Sequence, residues 1–134
     1  SPRSKTVLLV EDVPEILNVI NMILENNNFT VLTAADAESA LELTKGCLDT
    51  IDLLLTDIML PKMNGVDLSA HISSMCPAMK TLFMSGYGLS IIDAPDNIQE
   101  SVNFIQKPFS LKDLIAMVHK VLDESVNTPE QPKP

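Results

Sequence analysis

Five residues could share one chemistry: Glu11, Asp12, Asp57, Ser85 and Lys107 each stand where a short apolar run stops. Three carboxylates gathered in one place repel one another and raise their own pKa values unless a cation intervenes. Their all-oxygen character suits a hard ion, and Mg²⁺ in particular takes few protein ligands while keeping several waters. A metal-bound carboxylate beside the Lys107 ammonium would be a nucleophile toward a phosphoryl group, with Ser85 hydrogen-bonding one phosphoryl oxygen. The product would be an acyl phosphate on Asp57, a high-energy bond able to bias a two-state element. Each residue also has an ordinary reading: Asp12 as a helix cap, Asp57 as a turn residue, Ser85 as a loop hydroxyl, Lys107 as a solvated charge. Their joint recurrence at the ends of apolar runs favours the chemistry.

Those runs are Thr6–Val10, Phe29–Thr33, Ile51–Thr56, Thr81–Met84 and Val102–Ile105, several of them apolar almost throughout, as in strands buried on both faces. Between them the period changes to that of a helix. Ile16, Val19, Ile20, Ile23 and Leu24 form one stripe, with Pro14 suited to a first turn. Ala37, Ala40, Leu41 and Thr44 form a second, which Gly46 should end, and a third helix is expected from Val66 to Met75. The last opens on Ser110 with Asp113 three residues on, a capping arrangement, and carries Leu114, Ile115, Val118, Val121 and Leu122 inward. Between the fourth and fifth runs, Pro95 forbids a long regular helix over Leu89–Gln99, so a short or irregular one is expected. Five strands alternating with five helices predict an α/β sheet covered on both faces, with its functional crevice at the carboxyl ends of the strands.

Composition sets the limits. The 134 residues suffice for one domain, and 18 acidic against nine basic residues give a net charge of −9. That balance argues against nucleic-acid binding, which needs clustered Lys and Arg. A hydrophobic fraction of 46% excludes a disordered chain, and no apolar run is long enough to suggest a membrane span. Cys47 and Cys76 are too few for a disulfide framework or a zinc site, so a cytoplasmic protein is expected. His71 and His119 fall on expected helices away from the strand ends, where structural roles are the simpler reading.

The segments VLLVED, LLLTDIMLPKMNG, FMSGY and FIQKPF, in that order and spacing, resemble the receiver domains of two-component response regulators over roughly residues 5–123. The resemblance implies a doubly wound, flavodoxin-like α/β fold with five parallel strands in the order 2-1-3-4-5. Residues 1–4 would then be an extension and 124–134 a tail or linker. It implies that Asp57 accepts the phosphoryl group and that Glu11 and Asp12 form the acid pocket. Asp12, Asp57 and the backbone carbonyl of Met59 would contact Mg²⁺, with Ser85 and Lys107 as the family's hydroxyl and lysine. Pro108 would follow a cis peptide bond that aims Lys107 inward. The implied partner is a histidine kinase or histidine phosphotransfer domain, with no direct nucleic-acid or membrane contact.

Two departures qualify the resemblance. The family's switch aromatic, often Tyr, is Phe104 here, which can swing inward with Ser85 but has no hydroxyl to bond a partner. Pro95 interrupts the fourth helix, part of the face many members use for output, so no dimer through that face is inferred. Met59 and Tyr87 flank the expected path of a hydrolytic water without offering a carboxylate or amide, so slow hydrolysis of the phosphoryl group is expected. The segments look most like receivers of hybrid histidine kinases, a stand-alone receiver being the alternative. An aspartyl-phosphate phosphohydrolase would usually carry a second Asp where Met59 stands. A phosphorylation-independent interaction module would be the reading had Asp57, Lys107 or the acid pair been missing.

Overall fold

The computed structural model describes residues 5–46, 50–85, 103–107 and 109–124. In chain order these form β1 (Thr6–Val10), α1 (Pro14–Asn26), β2 (Thr30–Ala34), α2 (Ala37–Thr44), β3 (Leu53–Asp57), α3 (Gly65–Ser73), β4 (Lys80–Ser85), β5 (Asn103–Gln106) and α4 (Leu111–Glu124). The expectations for the Leu89–Gln99 helix, Cys47, Tyr87, Pro95 and the Pro108 peptide bond lie outside the described residues.

The strands pair in the order β2-β1-β3-β4-β5, every pairing parallel. The two apolar central strands, TVLLV and LLLTD, are buried at all five positions each, because helices cover both faces of the sheet. Alternation along the strands then sorts the core into two layers. Val7, Leu9, Leu53, Leu55, Leu82 and Met84 pack with Ile20 and Leu24 of α1 and Leu114, Val118 and Val121 of α4. Their strand neighbours Leu8, Val10 and Leu54 pack on the opposite face with Ala37 and Ala40 of α2 and Leu68 and Ile72 of α3. This is the doubly wound arrangement the sequence predicts.

Local chemistry explains the helix ends. Pro14 occupies the first turn of α1, where its missing N–H costs no hydrogen bond. Asp36 caps α2 by accepting from the Ser39 N–H at 2.7 Å, Asn64 caps α3 by accepting from Asp67 at 2.8 Å, and Ser110 caps α4 by accepting from Asp113 at 3.0 Å. Two expectations shift. The third helix runs one residue earlier and ends at Ser73 rather than Met75, since Asn64 supplies the cap. Val19, read as part of the inward stripe of α1, is 47% exposed, and Ile20 and Leu24 carry the burial.

The loop from β3 to α3 contains Lys62 at φ 71°, a left-handed conformation that a side chain disfavours. Lys62→Gly is expected to raise stability by about 0.5 kcal/mol, the relief of strain exceeding the added freedom of the unfolded chain. Urea denaturation with an unchanged slope would measure it, and a loss of stability would contradict the strain argument.

Candidate functional site

The parallel sheet delivers the five residues singled out above to one edge. Glu11 and Asp12 follow β1, Asp57 is the last residue of β3, and Lys107 follows β5. Ser85 is the last residue of β4 itself rather than the first beyond it, because the strand extends one residue further than its apolar run. The Lys107 N–H donates to the Ser85 carbonyl at 2.7 Å and so ties the ends of β4 and β5 together.

At the centre is a buried ionic cluster. The Lys107 ammonium lies 2.9 Å from Glu11 Oε1, and 3.0 and 3.2 Å from the two carboxylate oxygens of Asp57. The Glu11 side chain is fully buried and that of Asp57 nearly so. Glu11 also accepts from the Val13 N–H at 3.2 Å. Asp12 is exposed at the mouth, and ligand atoms of Glu11, Asp12 and Asp57 lie within 4.8 Å of one another. Ser85 is fully buried and Phe104 is half-buried against Ile58, Val66 and Phe83. The Met59 side chain is exposed.

Burial and the neighbouring Glu11 push the Asp57 carboxyl up to about 7, against the opposing pull of Lys107. For Lys107, burial works against the charge, yet the hydrogen bonds and attraction from Glu11 and Asp57 outweigh it and hold the ammonium above its ordinary value. The pocket thus contains more negative charge than one lysine neutralises comfortably, which is the electrostatic condition for taking up a hard cation. The donor set fits such an ion: three carboxylates, with no nitrogen or sulfur ligand among them.

Two residues that the sequence reading passed over complete the site. Thr56 is fully buried and its hydroxyl donates to the Asp57 carbonyl at 3.0 Å. Gly65 donates its N–H to the Ile58 carbonyl at 2.8 Å and packs against the Asp57 carbonyl so closely that a Cβ there would lie 2.0 Å from the oxygen. The Asn64-Gly65 pair was visible in the sequence as a turn signal, but its approach to Asp57 is a tertiary fact. Beside Lys107 an apolar groove of about 460 Å³ runs between α1 and the start of α4, lined by Ile16, Val19, Phe109 and Leu111. The two histidines lie elsewhere, His71 on α3 and His119 on α4, where its ring is 5.5 Å from that of Phe29.

A 2-1-3-4-5 parallel sheet with an acidic pocket and a lysine at its carboxyl edge defines a flavodoxin-like domain of the receiver class. The chain belongs to the response regulator receiver domain family, whose model matches residues 7–119. It is 31% identical over 121 residues to the sensor kinase CckA of Brucella abortus, covering 90% of this chain and 13% of that one. It is 28% identical over 118 residues to the response regulator receiver protein CpdR of the same organism, covering 88% and 97% respectively. The transcriptional regulatory protein CpxR of Escherichia coli is 32% identical over 120 residues, 89% of this chain and half of that one. This chain therefore spans a small part of CckA, half of CpxR and nearly all of CpdR. Among solved structures, a receiver domain from Clostridium thermocellum superposes with a TM-score of 0.81 at 25% identity, covering 91% of this chain and 97% of that one. The receiver domain of the hybrid histidine kinase CckA gives 0.73 at 27%, covering 87% and 98%. No described helix is long and apolar enough to cross a membrane.

Proposed function

We propose that the chain is a phosphoacceptor: Asp57 takes a phosphoryl group from a phosphohistidine, and the new acyl phosphate alters the surface presented to a downstream partner. The observation that carries this reading is the contact of one half-buried lysine with both Glu11 and Asp57, at the strand ends of a family whose members relay signals. A carboxylate oxygen of Asp57 attacks phosphorus, the phosphorus–nitrogen bond breaks, and its electron pair leaves with the imidazole. Lys107 places positive charge beside the oxygens that gain it, and Ser85 supplies a hydrogen bond to one of them. Mg²⁺ would be held by Asp12, Asp57 and the Met59 carbonyl, with Glu11 completing the acid pocket, and would supply charge neutralisation when bound. As Ser85 closes on the phosphoryl group, Phe104 shifts against Ile58, Val66 and Phe83, on which it packs. Met59 offers no group to activate a water, which supports a long-lived phosphoryl group.

The test is incubation with Mg²⁺ and acetyl phosphate, followed by intact mass. Covalent uptake that hydroxylamine reverses supports the reading, and an unchanged mass overturns it. The likeness to CckA supports a hybrid histidine kinase as the parent chain, with a stand-alone receiver as the alternative. In either case the donor is a cytoplasmic histidine kinase or phosphotransfer domain.

The donor must cover the rim of the site to bring its imidazole to Asp57, and the apolar groove beside Lys107 is the part of that rim suited to burial. Val19 and Leu111 project from it, 47% and 39% exposed. Val19→Asp and Leu111→Asp are each expected to slow transfer from a phosphohistidine protein at least about tenfold. Labelling by acetyl phosphate should not change. Equal transfer from both donors in the variants would show that the groove is not used.

A further inference from the structure

We propose that Thr56 is a positioning residue for phosphoryl acceptance, its hydroxyl fixing the backbone that connects the Asp57 carboxylate to the Met59 carbonyl, two groups that would hold Mg²⁺. The inference rests on the reading of Asp57 given under Proposed function and extends it to a residue outside the acid pocket.

Strand β3 reads Leu-Leu-Leu-Thr-Asp, and all five positions are buried. At such a position valine has nearly the same shape as threonine and suits a strand as well, whereas a buried hydroxyl is costly unless bonded. In register Thr56 pairs with Val10 on one side and Phe83 on the other, both apolar. Its hydroxyl finds its acceptor in the carbonyl of the next residue, Asp57, at 3.0 Å.

That bond belongs to a short series that pins each peptide leaving the strand. The Asp57–Ile58 peptide is held at its carbonyl by Thr56 and at its N–H by the Met84 carbonyl, at 3.0 Å. The following peptide is held at the Ile58 carbonyl by the Gly65 N–H at 2.8 Å. The next carbonyl along the chain is that of Met59. Thr56 therefore anchors the first of the peptide planes separating the Asp57 side chain from the Met59 oxygen. Mg²⁺ demands near-ideal octahedral geometry, so a small rotation of these planes would cost affinity without unfolding the domain.

Three variants separate positioning from packing. Thr56→Val removes the donor and keeps the shape; Thr56→Ser keeps the donor and loses the methyl group; Thr56→Ala loses both. Mg²⁺ affinity would be followed by amide shifts in NMR, the rate of labelling by acetyl phosphate by mass, and folding by urea denaturation. Thr56→Val is expected to weaken Mg²⁺ binding and slow labelling about 10-fold or more, the usual scale for groups that orient metal ligands. Thr56→Ser should stay near the parent in both, although it removes core volume. If Thr56→Val does not fold, the comparison of Ser with Ala carries the same contrast. A Val variant that binds Mg²⁺ and is labelled like the parent overturns the proposal, and so does a Ser variant as impaired as Val. A parent chain that binds Mg²⁺ but is never labelled removes the phosphoacceptor reading instead, and the Mg²⁺ affinities still decide the role of Thr56.

Discussion

Asp57→Asn should unfold at a higher temperature than the parent in metal-free buffer, while taking up no phosphoryl group. Both effects come from the same carboxylate. Burial and the adjacent Glu11 raise the Asp57 carboxyl from its ordinary 3.8 to about 7, so the folded protein holds its proton more tightly than the unfolded chain does. Between these values the folded state binds more protons, and the stability contributed by this group falls as pH rises, levelling off above about 7. Asparagine keeps the shape and has no charge to bury. Water at the pocket mouth, where Asp12 is exposed, screens part of the repulsion. We expect a gain of about 2 kcal/mol above neutrality, or roughly 6 °C in the unfolding midpoint. The gain should shrink as pH falls toward 4 and vanish below the ordinary carboxyl value, where the parent carboxyl is protonated in both states. Mg²⁺ should narrow the difference from the other side, by stabilising the parent more than the variant. Thermal unfolding at several pH values, with and without Mg²⁺, measures all of this. A variant less stable than the parent at pH 8, or one still labelled at full rate by acetyl phosphate, would remove the argument.

That stability is given up at Asp57 is consistent with how much of this molecule could be read in advance. The apolar runs and helix stripes obey local rules, and so the strands, the two-layer core, the Ser110 cap and the first-turn Pro14 follow from the sequence. The site residues were legible for a topological reason: parallel strands must all present their carboxyl ends at one edge, so polar residues that end apolar runs are bound to meet. Convergence of Glu11, Asp57 and Lys107 within hydrogen-bonding distance is the consequence. What was not legible depends on contacts between residues that no period connects. Val19 belongs to the same stripe as Ile20, but α4 reaches only part of that face, and the exposed remainder becomes the wall of a groove. Thr56 reads as a strand former whether or not its hydroxyl has work to do. Gly65 reads as half of a turn signal, whereas its position is dictated by the carbonyl it faces.

Gly65→Ala should be among the most damaging single-methyl changes in the domain, although local propensity predicts the opposite sign. Gly65 is the first residue of α3, and alanine there would gain up to about 1 kcal/mol from helix propensity alone. The added Cβ, however, would stand 2.0 Å from the Asp57 oxygen, 2.9 Å from its carbonyl carbon and 3.2 Å from Ile58 Cα. All three are backbone atoms, so no rotamer change relieves the overlap. Either α3 moves away from the sheet or the end of β3 moves toward the pocket. The first breaks the Gly65 to Ile58 hydrogen bond and strips Val66 and Leu68 from their packing. The second rotates the Asp57 peptide away from the Thr56 hydroxyl and displaces the carboxylate from Lys107. Overpacking against immobile atoms costs on the order of 3 kcal/mol, enough to override the propensity gain and lower the unfolding midpoint by about 10 °C. The second route also predicts weakened Mg²⁺ binding in whatever fraction remains folded, measurable below the transition by amide shifts. The sign of the stability change is the discriminating result. Gly65→Ala at or above parental stability would mean that propensity dominates, and that the loop after Asp57 yields more easily than its hydrogen bonds imply.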